Sequence, residues 1–137
     1  VGTRLRKIAE NHEADATVLA AAGLLRLGIN DFPGLRFERL PIEEMVPAPG
    51  QAAIALQVRE SDLDQFKAAC DAATAAAVDF ERAVLATMGG GCQVAVGVHR
   101  KGDGLFIFHE DKFSQIDLSG LNYSSALKRA LSVFEKE

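Results

Sequence analysis

Only two cysteines, Cys70 and Cys92, occur in 137 residues. That is too few for a disulfide framework and points to a reducing, cytoplasmic setting. Uninterrupted apolar stretches are equally scarce. None reaches the roughly 18–20 residues that a membrane span needs, and no signal-peptide pattern opens the chain. Histidine is thinly spread: His12, His99 and His109 show no HxxxH spacing, and the cysteines form no CxxC, so no metal site is expected. Positive charge is not in excess, and a net charge of -4 gives no electrostatic reason to expect nucleic acid as a partner, nor does any apolar run call for a membrane. Arginines concentrated locally would nonetheless be hidden in that net value. An initiator methionine is lacking too, and Val1 stands at what reads as the start of a helix, which suggests a fragment. What is present, 48% hydrophobic and 25% charged residues, describes a soluble globular chain of one domain or two small ones.

Hydrophobic periodicity sets out the elements. Residues 3–11 (TRLRKIAEN) predict a helix with Thr3 as N-cap and a basic first turn. Residues 15–20 (DATVLA) form a short apolar run between polar neighbours, the pattern of a buried strand. Helical character resumes over residues 21–27 and Gly28 stops it. Helix, buried strand and helix with short connections give an α/β order with strands expected to be parallel. Residues 30–49 hold all four prolines, Pro33, Pro41, Pro47 and Pro49, and mark a connection between structural units. A second strand is predicted over residues 52–58 (AAIALQV).

The pattern then changes. Ser61 or Asp62 caps a predicted helix running to Ala72, and residues 74–88 predict another, with Val78, Phe80, Val84 and Leu85 at helical spacing. Residues 94–99 alternate like a strand, and Lys101-Gly102-Asp103-Gly104 reads as a hairpin turn into further strands at 105–109 and 113–118. Residues 123–137 close the chain as an amphipathic helix with Ala126, Leu127, Ala130, Leu131 and Phe134 on one face. The expected fold class is thus α/β plus α+β, the second part a small antiparallel sheet covered by helices.

Four constellations could carry chemistry. In Gly89-Gly90-Gly91-Cys92-Gln93-Val94, a thiol follows three glycines between a helix-like and a strand-like run. Two readings fit: a helix C-cap followed by a small buried residue, or a sulfur on permissive backbone that carries something bulky. Arg4 and Arg26 each lie on the first or second turn of a predicted helix, where guanidinium forks and helix amides suit an anionic ligand. Taken singly, each reads first as a solvated surface arginine. Pro49-Gly50-Gln51 taken alone is a turn. Cys70 lies in a helical run and reads as a core filler.

Together, in this order, VGTRL (1–5), LAAAGLLRLG (19–28), PAPGQAA (47–53) and ERAVLATMGGGCQVAVG (81–97) resemble porphobilinogen deaminase, also called hydroxymethylbilane synthase. The resemblance runs from Val1 to about Gly97, and the segment from Val98 onward fits the variable C-terminal domain of that family by pattern only. It implies that Cys92 forms a thioether to a dipyrromethane cofactor, two linked pyrroles that prime chain growth. Four porphobilinogen molecules then add head to tail, each losing ammonia, and hydrolysis releases the linear tetrapyrrole while the primer stays attached. The acetate and propionate groups of the pyrroles accumulate negative charge. The resemblance assigns Arg4 and Arg26 to these carboxylates, adds backbone donors near Ala20, and places Gln51 in a turn bordering the cleft. Glu81 and Arg82 are expected to fix the helix that positions the cysteine loop.

By the same resemblance, residues 1–48 are the latter part of a periplasmic-binding-protein-like α/β domain, the second in the family. Residues 49–60 are the strand returning to a first domain, and residues 61–137 are the α+β domain carrying the cysteine. Two small departures are Ala52, where the family has glycine after Gly-Gln, and Ala95, where it has proline after Cys-Gln-Val. The third is large. The catalytic aspartate, its lysine partner and the serine-arginine-arginine run of the family belong to an N-terminal half with no counterpart here. No catalytic residue is therefore assigned in this chain, which is expected to be inactive alone and to need that segment as partner, in a family of usual monomers. The rival expectation is a non-catalytic binding or assembly module that retains the cysteine loop.

Overall fold

The structure, a computed structural model, describes residues 1–88 and 95–135. It divides into two units, Val1–Leu40 and Pro41–Glu137.

In the first unit, α1 (Gly2–Ala9) starts from Val1, whose carbonyl accepts the amides of Arg4 and Leu5. Thr3 therefore lies inside the helix and does not cap it. Leu5, on the apolar face, is the buried residue of α1. The short α2 (Ala21–Arg26) has Ala20 as N-cap and ends as predicted at Gly28, which adopts φ 64. There Ile29 N donates to Leu24 O at 3.0 Å and Gly28 N to Leu25 O at 3.1 Å, the paired closure of a Schellman motif. The run 15–20 forms no strand, and Val18 is 61% exposed. An apolar run becomes a strand only when a neighbour completes its ladder, and among the described residues nothing pairs with this one. A cleft of about 300 Å³ in this unit is lined by Leu5, Ile8, Leu19, Leu24, Leu35 and Phe37 among others.

In the second unit, the run 52–58 likewise has no ladder partner among the described residues, and Ile54 and Leu56 stand 81% and 55% exposed. The helix expected up to Ala72 breaks into a 3-10 turn (Glu60–Asp62), a single α-turn α3 (Leu63–Phe66) and a second 3-10 turn (Lys67–Ala69). Leu63 and Phe66 remain exposed. A short helix without a buried stripe has little to hold it in full α geometry. Cys70 is exposed as well and is not a core filler.

The rest of the second unit follows the sequence pattern closely. Helix α4 (Ala72–Thr87) is capped by Asp71, whose carboxylate accepts Thr74 N at 2.7 Å. Strands β1 (Val96–Lys101), β2 (Gly104–His109) and β3 (Lys112–Asp117) form an antiparallel sheet in the order β1-β2-β3. Gly102 takes φ 60 in the first hairpin, the position where a two-residue turn favours glycine. In the second hairpin Glu110 and Asp111 occupy the left-handed region without glycine. Helix α5 (Tyr123–Leu131) starts at Asn122, whose side chain accepts Ser125 N, and passes into a 3-10 turn at Ser132–Phe134.

Both α4 and α5 contribute to one core with the sheet. Phe80, Val84, Val98, Leu105, Ile107 and Ala130 are fully buried there, each of the larger side chains worth about 1.5–3 kcal/mol over its exposed state. The expected α5 stripe is in place, with Ala126 and Ala130 buried and Leu127, Leu131 and Phe134 packed against the cluster. Tyr123 sets its ring edge-on to Phe80 at 5.5 Å. This part of the fold is α+β, and among the described residues the only sheet is antiparallel.

Candidate functional site

Strand β1 is an edge strand, and alternate amides along an edge point away from the sheet and need partners. Val98 N donates to Pro47 O at 2.9 Å. Two residues on, Arg100 N donates to Glu81 Oε1 at 2.8 Å. The second oxygen of that carboxylate, Oε2, accepts Gly50 N at 2.7 Å. One side chain of α4 therefore ties the turn at 47–51 to the edge of β1. Glu81 is only 3% exposed, and His99 Nδ1 lies 3.2 Å from Oε1. Bonds to an ionised acceptor are the stronger kind, and burial raises the cost of losing one.

Close packing adds to this clasp. A Cβ on Gly97 would fall 2.5 Å from Val46 O and 2.8 Å from Val46 Cβ, so residue 97 must be glycine for the 46–51 segment to lie along β1. Gly50 has φ 71, and a Cβ there would meet Val78 Cγ1 at 3.4 Å. The turn is sealed from within by Gln51, whose amide donates to Ala48 O and whose Oε1 accepts Ala48 N, both at 3.0 Å. The neighbouring Ala52 stands at φ 68, in the left-handed region where glycine carries no penalty. Arg100 stacks its guanidinium 4.9 Å over the Phe80 ring.

The motifs read separately along the sequence therefore meet: PAPGQ, the Glu81 helix and Gly97 share one bonded cluster. Arg82 does not join it. It is exposed and makes no side-chain hydrogen bond among the described residues. Cys92 lies outside the described residues. The described ends nearest to it in sequence are Met88, the C-cap of α4, and Ala95, just before β1. Arg4, Ala20 and Arg26 belong to the first unit, where both arginine side chains are exposed. Neither forms an ion pair among the described residues. Val1 Cγ2 lies 3.9 Å from where a Gly23 Cβ would be, so the start of α1 adjoins α2. Sequence reasoning missed the two hydrogen bonds to Glu81 because both donors are backbone amides, which leave no residue-type signal.

No three His, Cys, Asp or Glu side chains converge as a metal site among the described residues, and no helix is long and apolar enough to cross a membrane.

Residues 1–67 match the family model described as "Porphobilinogen deaminase, dipyromethane cofactor binding domain". The chain is 43% identical over 112 residues to a porphobilinogen deaminase of Roseiflexus sp. (strain RS-1), covering 78% of this chain and 36% of that protein. It is also 43% identical over 103 residues to the porphobilinogen deaminase of Thiobacillus denitrificans, covering 72% of this chain and 32% of the relative. The chain belongs to the porphobilinogen deaminase family. It spans about a third of the length of the curated porphobilinogen deaminases it matches. The matched porphobilinogen deaminase domain is one that binds dipyrromethane, and it includes Arg4, Ala20, Arg26 and Gln51 but stops before Glu81 and Cys92. Two exposed arginines without carboxylate partners among the described residues fit the carboxylates such a cofactor bears.

Proposed function

We propose that this chain is the C-terminal part of a hydroxymethylbilane synthase, a transferase that joins four porphobilinogen molecules into a linear tetrapyrrole with loss of ammonia. The family match carries this reading: 43% identity over 112 residues, together with the matched cofactor-binding domain. Dipyrromethane, when bound, supplies the primer to which pyrroles add. In this reading Cys92 is its covalent anchor. Arg4 and Arg26 hold pyrrole carboxylates bidentately, amides near Ala20 add donors, and Gln51 keeps its turn shaped at the border of the cleft.

The catalytic carboxylate is supplied by a preceding N-terminal segment. We assign residues 1–48 to the end of a periplasmic-binding-protein-like domain, residues 49–60 to a strand returning to a first domain, and residues 61–137 to the domain carrying the anchor. The exposed apolar side chains of the unpaired runs, Val18, Ile54 and Leu56, support that assignment: each run has the composition of a strand and lacks only a neighbour.

Co-expression of this chain with the N-terminal segment of its protein tests the proposal through porphobilinogen consumption. Activity is expected to return, and mass measurement is expected to show a two-pyrrole adduct that Cys92→Ser abolishes. If no activity returns and Cys92→Ser in the complete protein leaves activity intact, the proposal fails. A complete protein that carries the adduct but consumes no porphobilinogen would instead establish the binding-module alternative.

A further inference from the structure

The two edges of the sheet differ. The 47–51 turn lies along β1, through the bond from Val98 N to Pro47 O, whereas nothing among the described residues pairs with the outer side of β3. The two-residue turn at Glu110 and Asp111 makes His109 and Lys112 a hydrogen-bonded pair, so Ser114 and Ile116 also bond toward β2. Phe113, Gln115 and Asp117 therefore turn their amides outward, and all three residues are exposed. Their side chains share the sheet face of Phe106 and Phe108, away from the core, with the Phe106 and Phe113 rings 6.5 Å apart. Phe113 is left 41% exposed. Toward the other end of the strand, Asp117 pairs with Gly104, which brings no side chain. An open cleft of about 420 Å³ is lined there by Gly104, Gln115, Ile116 and Asp117.

An uncovered edge is a template for another strand, and the placement of ring and cleft points to which one. Phe113 and Asp117 stand equally far from Gln115 along β3. If a second copy runs antiparallel with the two Gln115 residues opposite each other, each Phe113 comes opposite the other copy's Asp117, beside the cleft that Gly104 leaves open. Each Lys112 then lies next to the other copy's Asp117, bringing opposite charges together. One patch that carries both the projection and its recess is what a two-fold contact between identical chains requires.

We propose that β3 is a self-association edge, joining two copies into one continuous antiparallel sheet with Phe113 of each copy seated at the Gly104 cleft of the other. This departs from the monomer that the family resemblance implies, and it does not depend on the reading of Cys92. The pair is a weak one. One short strand and one half-covered ring per copy fall short of the roughly 800 Å² per partner that a stable interface buries.

Sedimentation velocity on the 137-residue chain, from about 10 μM to about 1 mM, tests this together with hydrogen exchange at Phe113 and Gln115. Rising concentration is expected to move the chain toward dimer and to slow exchange at both amides. Gln115→Pro removes an outward donor and no bond to β2, as edge strands tolerate, and Phe113→Ala removes the ring. Each is expected to weaken association by about tenfold or more, because the loss is felt twice in a two-fold pair. Phe108→Ala, which truncates an exposed ring one strand inward, is expected to leave it unchanged. Should circular dichroism show Gln115→Pro unfolded, Phe113→Ala alone decides. A chain still monomeric at the highest concentration would overturn the proposal, as would association that survives Phe113→Ala. Equal weakening by Phe108→Ala would reduce it to unspecific apolar adhesion. In the complete protein, protection at Phe113 and Gln115 that does not change with concentration would put the rest of the same chain on this edge, and the second copy would be the wrong occupant.

Discussion

At residue scale, two small side chains decide how the 46–52 segment lies. Ala52 holds φ 68, a conformation that costs an L-residue about 1–2 kcal/mol relative to the right-handed region. Ala52→Gly removes that strain but adds chain entropy to the unfolded state. A net stabilisation of about 0.5–1 kcal/mol is expected, read as a raised midpoint in thermal or urea unfolding of the second unit. Gly97 is the opposite case. Its missing Cβ leaves the space that Val46 O fills at 2.5 Å from the would-be carbon, and the atom in the way is backbone. Gly97→Ala must push the 46–47 segment off the strand edge and disturb the bond from Val98 N to Pro47 O. A loss of about 1–3 kcal/mol is expected, as for overpacking elsewhere. Gly97→Ala as stable as wild type would mean that the segment is not held against β1.

At the scale of elements, α4 depends on its cap. Thr74, through its side chain and its amide, holds the Asp71 carboxyl below the usual aspartate range. A carboxyl depressed in the folded state stabilises it fully above the unfolded value of about 3.9. That contribution drains away as pH falls through the lower folded value. Asp71→Asn keeps an acceptor for Thr74 N and removes the titration. Helical content measured from pH 5 down to pH 2 is expected to fall less steeply in the variant. Identical acid limbs would show that ionisation of the cap contributes nothing. Asp117, depressed by the Ser119 amide and hydroxyl, adds a parallel slope that the same substitution leaves untouched.

The elements also show what a sequence discloses. The second-unit helices α4 and α5 and the first hairpin were legible because their signals are local: a 3.6-residue stripe and a Gly-Asp turn. The runs 15–20 and 52–58 carry equally strong strand composition, yet a strand exists only with a neighbour, and the composition of one run does not reveal whether it has one. The helix expected up to Ala72 failed for a related reason, since Leu63 and Phe66 find no core to cover them. The second hairpin turned on Glu110 and Asp111, residues that do not advertise a left-handed pair. As for the site, the order of motifs was readable, whereas the clasp at Glu81 was not, being made to backbone amides that any residue but proline offers.

At the scale of the whole molecule, the contrast between the two units sets the last prediction. The second holds a contiguous core of Phe80, Val84, Val98, Leu105 and Ile107, while in the first Leu5 is the one buried hydrophobic residue. Local opening is cheapest where few apolar contacts must be broken. In hydrogen exchange on this chain, amides of β1, β2 and α4 are therefore expected to be protected, and those of α1 and α2 to exchange early. If a preceding segment of the protein supplies the ladder partners for 15–20 and 52–58, adding it in trans should protect those two runs first. Protection there comes from newly paired amides as well as from burial of Val18, Ile54 and Leu56. Slowed exchange confined to α4 and the sheet would mean that the added segment docks elsewhere, and the strand assignment of both runs would fall. Protection at both runs without any return of porphobilinogen consumption would separate assembly from chemistry, leaving the fold assignment standing while the catalytic one failed.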